Sequence, residues 1–264
     1  MSVVLTDRPA PSVARLLINR PHKRNAIDHD VREQLFQSLL EIKADTAIRA
    51  LVIGGVEGVF SAGGDLDSMG GLTEAQARER MQHIHRLCRE FANFPLPVVA
   101  AVEGFCAGAA VGMSLLSDYI IVGKQSKIIF PFMGLGLVPD WGAVFTLPRR
   151  VGLPRARQLM TAGKVSSGEY CYEIGLADEY VGEDDIMAAS IERARLMAEL
   201  PASAFKRLKH RLNTPSLTLN EELLREEDDQ AVLLLGPEFN SGYAAALQKK
   251  ATDFTQIKRE TDDE

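Results

Sequence analysis

A chain of 264 residues with 46% hydrophobic composition is long enough for one large domain, or a domain with an appendage, around a sizeable core. Lys+Arg 30 against Asp+Glu 36 leaves a formal charge of −6 with no basic block, which argues against a nucleic-acid partner. Cys88, Cys106 and Cys171 are odd in number and widely spaced, fitting neither a disulfide framework nor a zinc site, and the N-terminus lacks the basic-then-apolar run of a signal peptide. With no 18-residue apolar stretch to span a bilayer, a soluble cytoplasmic protein without a membrane partner is expected.

Runs dense in Val, Ile and Leu at 13–20, 48–55, 97–104 and 118–123 read as buried strands. The segment 28–45 places Val31, Leu35, Leu39 and Ile42 on one stripe, with Asp28 or Asp30 available as N-cap, and reads as an amphipathic helix. A second helix is expected over 73–94, opened by a Thr73-x-x-Gln76 capping box and carrying Met81, Ile84, Cys88 and Phe91 at helical spacing. On it His83 and His85 point to different faces; His85, sharing a side with Met81 and Cys88, is expected to be a buried or half-buried packing residue. Strand–helix alternation indicates α/β layering, whereas from about Leu153 onward the patterns are almost all helical. The expected division is an α/β core over 1–195 and a helical region over 196–264, ending in a charged, solvated tail, KRETDDE.

Two glycine-rich stretches follow strand patterns. FSAGGDLDSM (60–69) puts Ala62, Gly63 and Gly64 where the chain turns, so backbone N–H groups can approach a ligand. GFCAGAAVGMSLLSDY (104–119) starts a helix on Ala107, Gly108, Ala109 and Ala110, whose free N–H groups suit an anion or a developing oxyanion. Neither is a dinucleotide or P-loop fingerprint, and a tight turn with close packing is the plain alternative for each. Further on, Pro131 to Leu147 holds one charged residue, Asp140, beside the only tryptophan, Trp141. Buried unpaired, that carboxylate would cost several kcal/mol, so it either faces water, caps the helix beginning near Gly142, or is held in an apolar pocket for its chemistry.

The strings LLINRPHKRNAI (16–27), VFSAGGDLDSM (59–69), AAVEGFCAGAAVGMSLLSDYIIV (100–122), GLVPDWGAVFTLPRRVG (136–152) and EYCYEIGLADEYV (169–181) closely resemble the enoyl-CoA hydratase/isomerase (crotonase) family over almost the whole chain. The resemblance implies a spiral of ββα repeats with a C-terminal helical trimerisation region, a homotrimer or hexamer, and an acyl-CoA thioester as substrate. Coenzyme A then arrives as part of the substrate and no separate cofactor is implied. The thioester oxygen would lie between two backbone N–H groups, which map to Ala62 and Ala109; CoA contacts map to Lys23, Arg24, Ala26, Gly63, Gly64, Asp65 and Leu66, with Phe132 and Trp141 as pocket walls. Asp65 is equally able to cap a following helix, and Lys23 and Arg24 to be ordinary solvated charges.

The two glutamates that hydratases of the family carry fall here on Gly112 and Phe132, neither of which can activate water or deliver a proton. Asp140 matches the acid that isomerases and a dehalogenase of the family carry in the motif G-x-x-P-D-x-G. The resulting expectation is an isomerase with Asp140 as single acid–base. A hydratase or hydrolase with atypical residues, and a non-catalytic acyl-CoA-binding protein, remain open as alternatives. Leu223, Leu224, Val232, Leu233, Leu234 and Leu235 exceed what a small appendage buries on itself and support the oligomer.

Overall fold

The computed structural model describes residues 2–182 and 185–259. A hairpin of β1 (Val4–Ala10) and β2 (Val13–Ile18) leads through α1 (His29–Ala44) to β3 (Ala50–Gly55) and α2 (Glu74–Ala92). Next come β4 (Val98–Val102), β5 (Phe105–Ala107), α3 (Ala109–Leu115), β6 (Tyr119–Val122) and β7 (Lys127–Ile129). Helices α4 (Ala143–Val151) and α5 (Leu153–Ala162), short β8 (Ser166–Ser167), α6 (Gly168–Glu173) and β9 (Glu179–Tyr180) precede α7 (Ile186–Met197). Three helices follow, α8 (Ala202–Asn213), α9 (Leu219–Leu233) and α10 (Pro237–Leu247).

The main sheet runs β1-β2-β3-β4-β6-β9, parallel except for the β1–β2 hairpin, and a second sheet runs β5-β7-β8. After the β1–β2 hairpin, the pairs β4–β5 and β6–β7 each give their first strand to the main sheet and their second to the other, in line with the spiral expected from the sequence. Strand alternation divides the core: Leu51, Ile53, Val98 and Ala100 face α1 and α2, whereas Ala50, Val52, Val99 and Ala101 face α7. Asp28 caps α1 through Val31 N at 2.9 Å, and Thr73 with Gln76 closes the capping box of α2. Among the described residues no helix is long and apolar enough to cross a membrane.

Some expectations need correction. The strand β1 was not anticipated, because its middle, Leu5 to Arg8, is exposed and carries no apolar alternation. His85 is exposed; the half-buried histidine is His83, stacked on His29 at 4.5 Å. The tail does not leave the fold at Lys258: Arg259 is buried and donates to the carbonyls of Lys43 and Asp45 at the end of α1, while 260–264 lie outside the described residues.

Two buried cations tie the C-terminal segment to the sheet. Arg49 at the start of β3 donates to the carbonyls of Ala198, Leu200 and Ile257. Lys209 of α8, 5% exposed, donates to Asp118 at 2.7 Å, and the same carboxylate oxygen accepts Val98 N at 2.8 Å. Removing one member of a buried pair strands the other, at a cost of about 3–5 kcal/mol. Asp118→Ala should therefore lower the urea midpoint and accelerate amide exchange in α8 before that in the main sheet. Uniform exchange across both would show that Lys209 does not dock the helix.

Candidate active site

The site begins with a loop that a buried asparagine holds in place. Asn25, fully buried at a φ of 57°, accepts from Arg20 N through Oδ1 and donates from Nδ2 to the carbonyls of Val56 and Val59. This sets the loop 20–27 against the first glycine-rich turn, where Ile27 and Gly64 form an isolated parallel bridge. Across the turn, Ser61 bridges to Cys106, fixing it to β5.

Backbone donors in the turn are almost all used. Ala62 N donates to Arg24 O at 2.9 Å, Gly63 N to Ser61 Oγ at 3.0 Å, and Asp65 N to Ile27 O at 3.0 Å. From Ser61 to Asp65, Gly64 N alone has no acceptor among the described residues. This corrects the expected donor: Ala62 lines the cavity, but its N–H is spent, and the free amide lies two residues further along. On the second stretch, Gly108 N donates to Ile129 O, and Ala109, the first residue of α3, is left without an acceptor, as the first residues of a helix are. With seven residues, α3 offers donors rather than an appreciable macrodipole.

The two stretches meet because Gly63 has no side chain. At its φ of 91°, a Cβ would lie 2.3 Å from Ala107 O and 3.5 Å from Ala109 N. Gly64 follows directly, and both Gly64 and Ala109 line one cavity of about 750 Å³. Its lining includes Leu66, Met69, Phe132, Met133, Leu135 and Leu137, together with Asp140.

Asp140 is the only carboxylate lining that cavity among the described residues. Its Oδ1 is buried without a hydrogen-bond partner, and burial pushes its pKa up to about 6, with its own backbone N–H and the charge of Arg80 partly offsetting. It does not cap α4: that N-cap is Gly142, with no side-chain bond, and Asp140 gives only its carbonyl, to Ala143 N at 3.0 Å. The neighbouring Cys88 thiol is pushed up to about 12, first by burial and then by the Asp140 carboxylate, so it is no thiolate nucleophile.

Trp141 is not a pocket wall, which is a second correction. It is 1% exposed, sits at a φ of 51°, and belongs to the core beneath the site. A Cβ on Gly112 would lie 2.4 Å from its Cβ and 3.2 Å from the carbonyl oxygens of Asp140 and Trp141. A glutamate at 112 and this path of the chain through Asp140 are therefore mutually exclusive.

The other expected contacts divide. Gly63, Leu66 and Phe132 stand at the turn and the cavity; Ala26 is buried, and its carbonyl accepts Arg20 Nη1. Lys23 pairs with Asp67 and Arg24 lies over Phe105 at 5.7 Å, both at the surface near the turn. Asp65 is committed to structure: Oδ2 takes Arg20 at 3.0 Å and Oδ1 caps the short helix 66–68 through Asp67 N. The sequence reading missed Arg20, Asn25 and Met69. Their cue is contact between distant segments, which no local pattern carries.

The family model described as Enoyl-CoA hydratase/isomerase matches residues 9–256. Among curated relatives, the 1,2-epoxyphenylacetyl-CoA isomerase of Escherichia coli is 30% identical over 248 residues, 92% of this chain and 95% of that protein. The 4-chlorobenzoyl coenzyme A dehalogenase-1 of an Arthrobacter species is 28% identical over 95% of this chain and 91% of its own. The crystal structure of an enoyl-CoA hydratase from a Polaromonas species superposes with a TM-score of 0.88 at 25% identity, covering 94% of this chain and 98% of that one.

A carboxyl group whose pKa rises on folding is tolerated fully below its ordinary value of 3.8 and becomes progressively destabilising as pH climbs through about 6. Asp140→Asn should then stabilise the fold by ~2–3 kcal/mol at pH 8, with the gain vanishing near pH 4, as read from urea midpoints. Gly112→Ala should destabilise by about 1–3 kcal/mol at either pH through overpacking against Trp141.

Proposed function

Because this chain belongs to the enoyl-CoA hydratase/isomerase (crotonase) family of acyl-CoA-processing enzymes, we propose that it is an acyl-CoA isomerase in which Asp140 is the single acid–base. The observation that carries the reading is the buried, unpartnered Oδ1 of Asp140 in the same cavity as the unspent amides of Gly64 and Ala109.

In the proposed reaction the thioester oxygen accepts from the Gly64 and Ala109 N–H groups. The ionised Asp140 removes a proton from the α carbon of a β,γ-unsaturated thioester. The electron pair moves into a dienolate with its charge on the thioester oxygen, where each amide is worth about 2.7–4 kcal/mol in comparable sites. Protonated Asp140 then returns the proton to the γ carbon, leaving the α,β-unsaturated product. One carboxylate suffices, since no water is consumed. A pKa of about 6 keeps Asp140 mostly ionised near neutrality while leaving its conjugate acid strong enough to give the proton back.

Hydration by the two-glutamate route has no support at Gly112 or Phe132, and the first of these has no room for a side chain. A non-catalytic acyl-CoA-binding role leaves unexplained why a carboxylate with a buried, unpartnered oxygen is kept in a mostly apolar cavity. The name of the Escherichia coli relative, an isomerase of a CoA thioester, agrees in reaction class. The test is Asp140→Asn on a panel of β,γ-enoyl and ring-bearing CoA thioesters: turnover should fall by ~10² to 10⁴ or more while thioester affinity holds. Wild-type kcat/KM should also fall on an acid limb near pH 6, which the variant's residual rate should lack. Undiminished turnover in Asp140→Asn would refute the assignment.

The proposed assembly is a trimer, which pairs into a hexamer if a second face is used. On α8 to α10 and their connections, Leu212, Leu217, Leu219, Leu235 and Leu247 are each at least two-thirds exposed, which is costly for a lone chain. Sedimentation at micromolar concentration should give three or six copies, and a monomer would contradict it.

A further inference from the structure

Between α1, α2 and the 64–69 turn the cations outnumber their partners. Arg20 takes both nearby acids, Asp28 at 3.1 Å and Asp65 at 3.0 Å. Glu33 is held by His83 and Arg86. Arg32, 2% exposed, donates from Nε to His83 Nδ1 at 3.0 Å and pairs with no carboxylate; burial, then the charge of Arg80, brings its pKa down to about 10. Arg80, half-buried on α2, donates from Nη1 to Ser68 Oγ at 3.1 Å and also forms no ion pair among the described residues.

Arg80 stands close to the thioester site. Its Nη2 is 3.8 Å from the point that a Cβ on Gly64 would occupy, where the Met69 methyl is the nearer neighbour at 2.5 Å. Gly64 carries one of the two free amides, and Met69, an adaptable side chain, lines the cavity. A guanidinium without a counter-ion beside apolar side chains has free donors in the fork geometry that a carboxylate matches.

We propose that Arg80 selects the acyl group, binding a carboxylate at its far end, so that the substrates are CoA thioesters of short dicarboxylic acids; this rests on the thioester reading above. Arg80 lies just outside the lining of the cavity, and with its Nη2 3.8 Å from the Gly64 Cβ point only a short acyl chain would separate an oxygen on the Gly64 amide from a carboxylate on Arg80. Arg32, near enough to Arg80 for their charges to act on each other, adds to the positive field. Arg80 forms no ion pair among the described residues, and the Asp140 charge reaches it only as a minor influence, so its fork is open to an ω-carboxylate.

The experiment is calorimetric titration of the full-length protein with succinyl-, glutaryl- and adipoyl-CoA against butyryl-, valeryl- and hexanoyl-CoA, which reads binding without turnover. At one of these lengths the ω-carboxy thioester should bind about ten-fold or more tightly than its alkyl counterpart. Arg80→Gln, which keeps a donor for Ser68, should erase that preference and leave alkyl-CoA affinity within about two-fold, while Arg80→Lys should recover part of it. An absent preference in the wild type overturns the proposal. So does an equal loss for both series in Arg80→Gln, which would make Arg80 a contact to coenzyme A itself. A preference left intact in Arg80→Gln, with only the pH profile of turnover displaced, would make Arg80 a counter-ion to Asp140 instead. If no thioester of either series binds the wild type, the thioester reading fails first, and the proposal with it.

Discussion

The site depends on one contact, the approach of Gly63 to the carbonyl of Ala107. No residue with a Cβ can stand there, since the atom would lie 2.3 Å from that oxygen, and the φ of 91° independently excludes L side chains. The contact brings the end of the first turn against the last residue of β5. From it follow the free amide of Gly64 on one side and that of Ala109 on the other, from segments about 45 residues apart in sequence. The supporting bonds are all backbone or buried polar groups: Asn25 to Val56 and Val59, Ser61 to Gly63, and Ile27 to its neighbours. Such groups are costly to leave unmade, so they hold the two donors rigid without any side chain entering the cavity.

A second constraint decides which acid faces those donors. Trp141 and Gly142 both lie at positive φ, and for a tryptophan that conformation is strained by about 1–3 kcal/mol. Burying the indole almost completely offsets it, and the indole's backbone fits only because Gly112 has no side chain. Gly112, which has no room for a side chain, is thus the residue that admits the chain carrying Asp140.

Local pattern revealed much of this. The four long strand runs, the α1 stripe of Val31, Leu35, Leu39 and Ile42, and the Thr73–Gln76 box are set by periodicity and capping within one segment, so they can be read without a fold. Resemblance identified the turn and the helix start, but not which N–H was free. Ala62 and Gly64 are both small and lie two residues apart, and the bond from Ala62 to the Arg24 carbonyl, made across 38 residues, is what separates them. Trp141 failed for the same reason, since whether an aromatic lines a pocket or supports it from below depends on the partner chain segment, here α3. Asp65 was legible as a cap, whereas its pairing with Arg20 was not.

The two donors being neutral has a consequence for the acid that faces them. A lysine or arginine in the oxyanion position would stabilise a dienolate as well, but its charge would also draw down the pKa of a carboxylate in the same apolar cavity, making it a weaker base and a poorer match for a carbon acid. Backbone amides exert most of their effect over hydrogen-bond distance, on the oxygen where charge develops, and leave the desolvation of Asp140 nearly intact. The charge of Arg80 is felt at Asp140 only as a minor opposing influence, and burial prevails, holding the group near 6. In the proposed reaction, neutral donors and a carboxylate with an unpartnered Oδ1 in the same cavity would therefore separate two tasks that a charged residue would couple: stabilising the anion, and keeping the proton carrier close to neutrality.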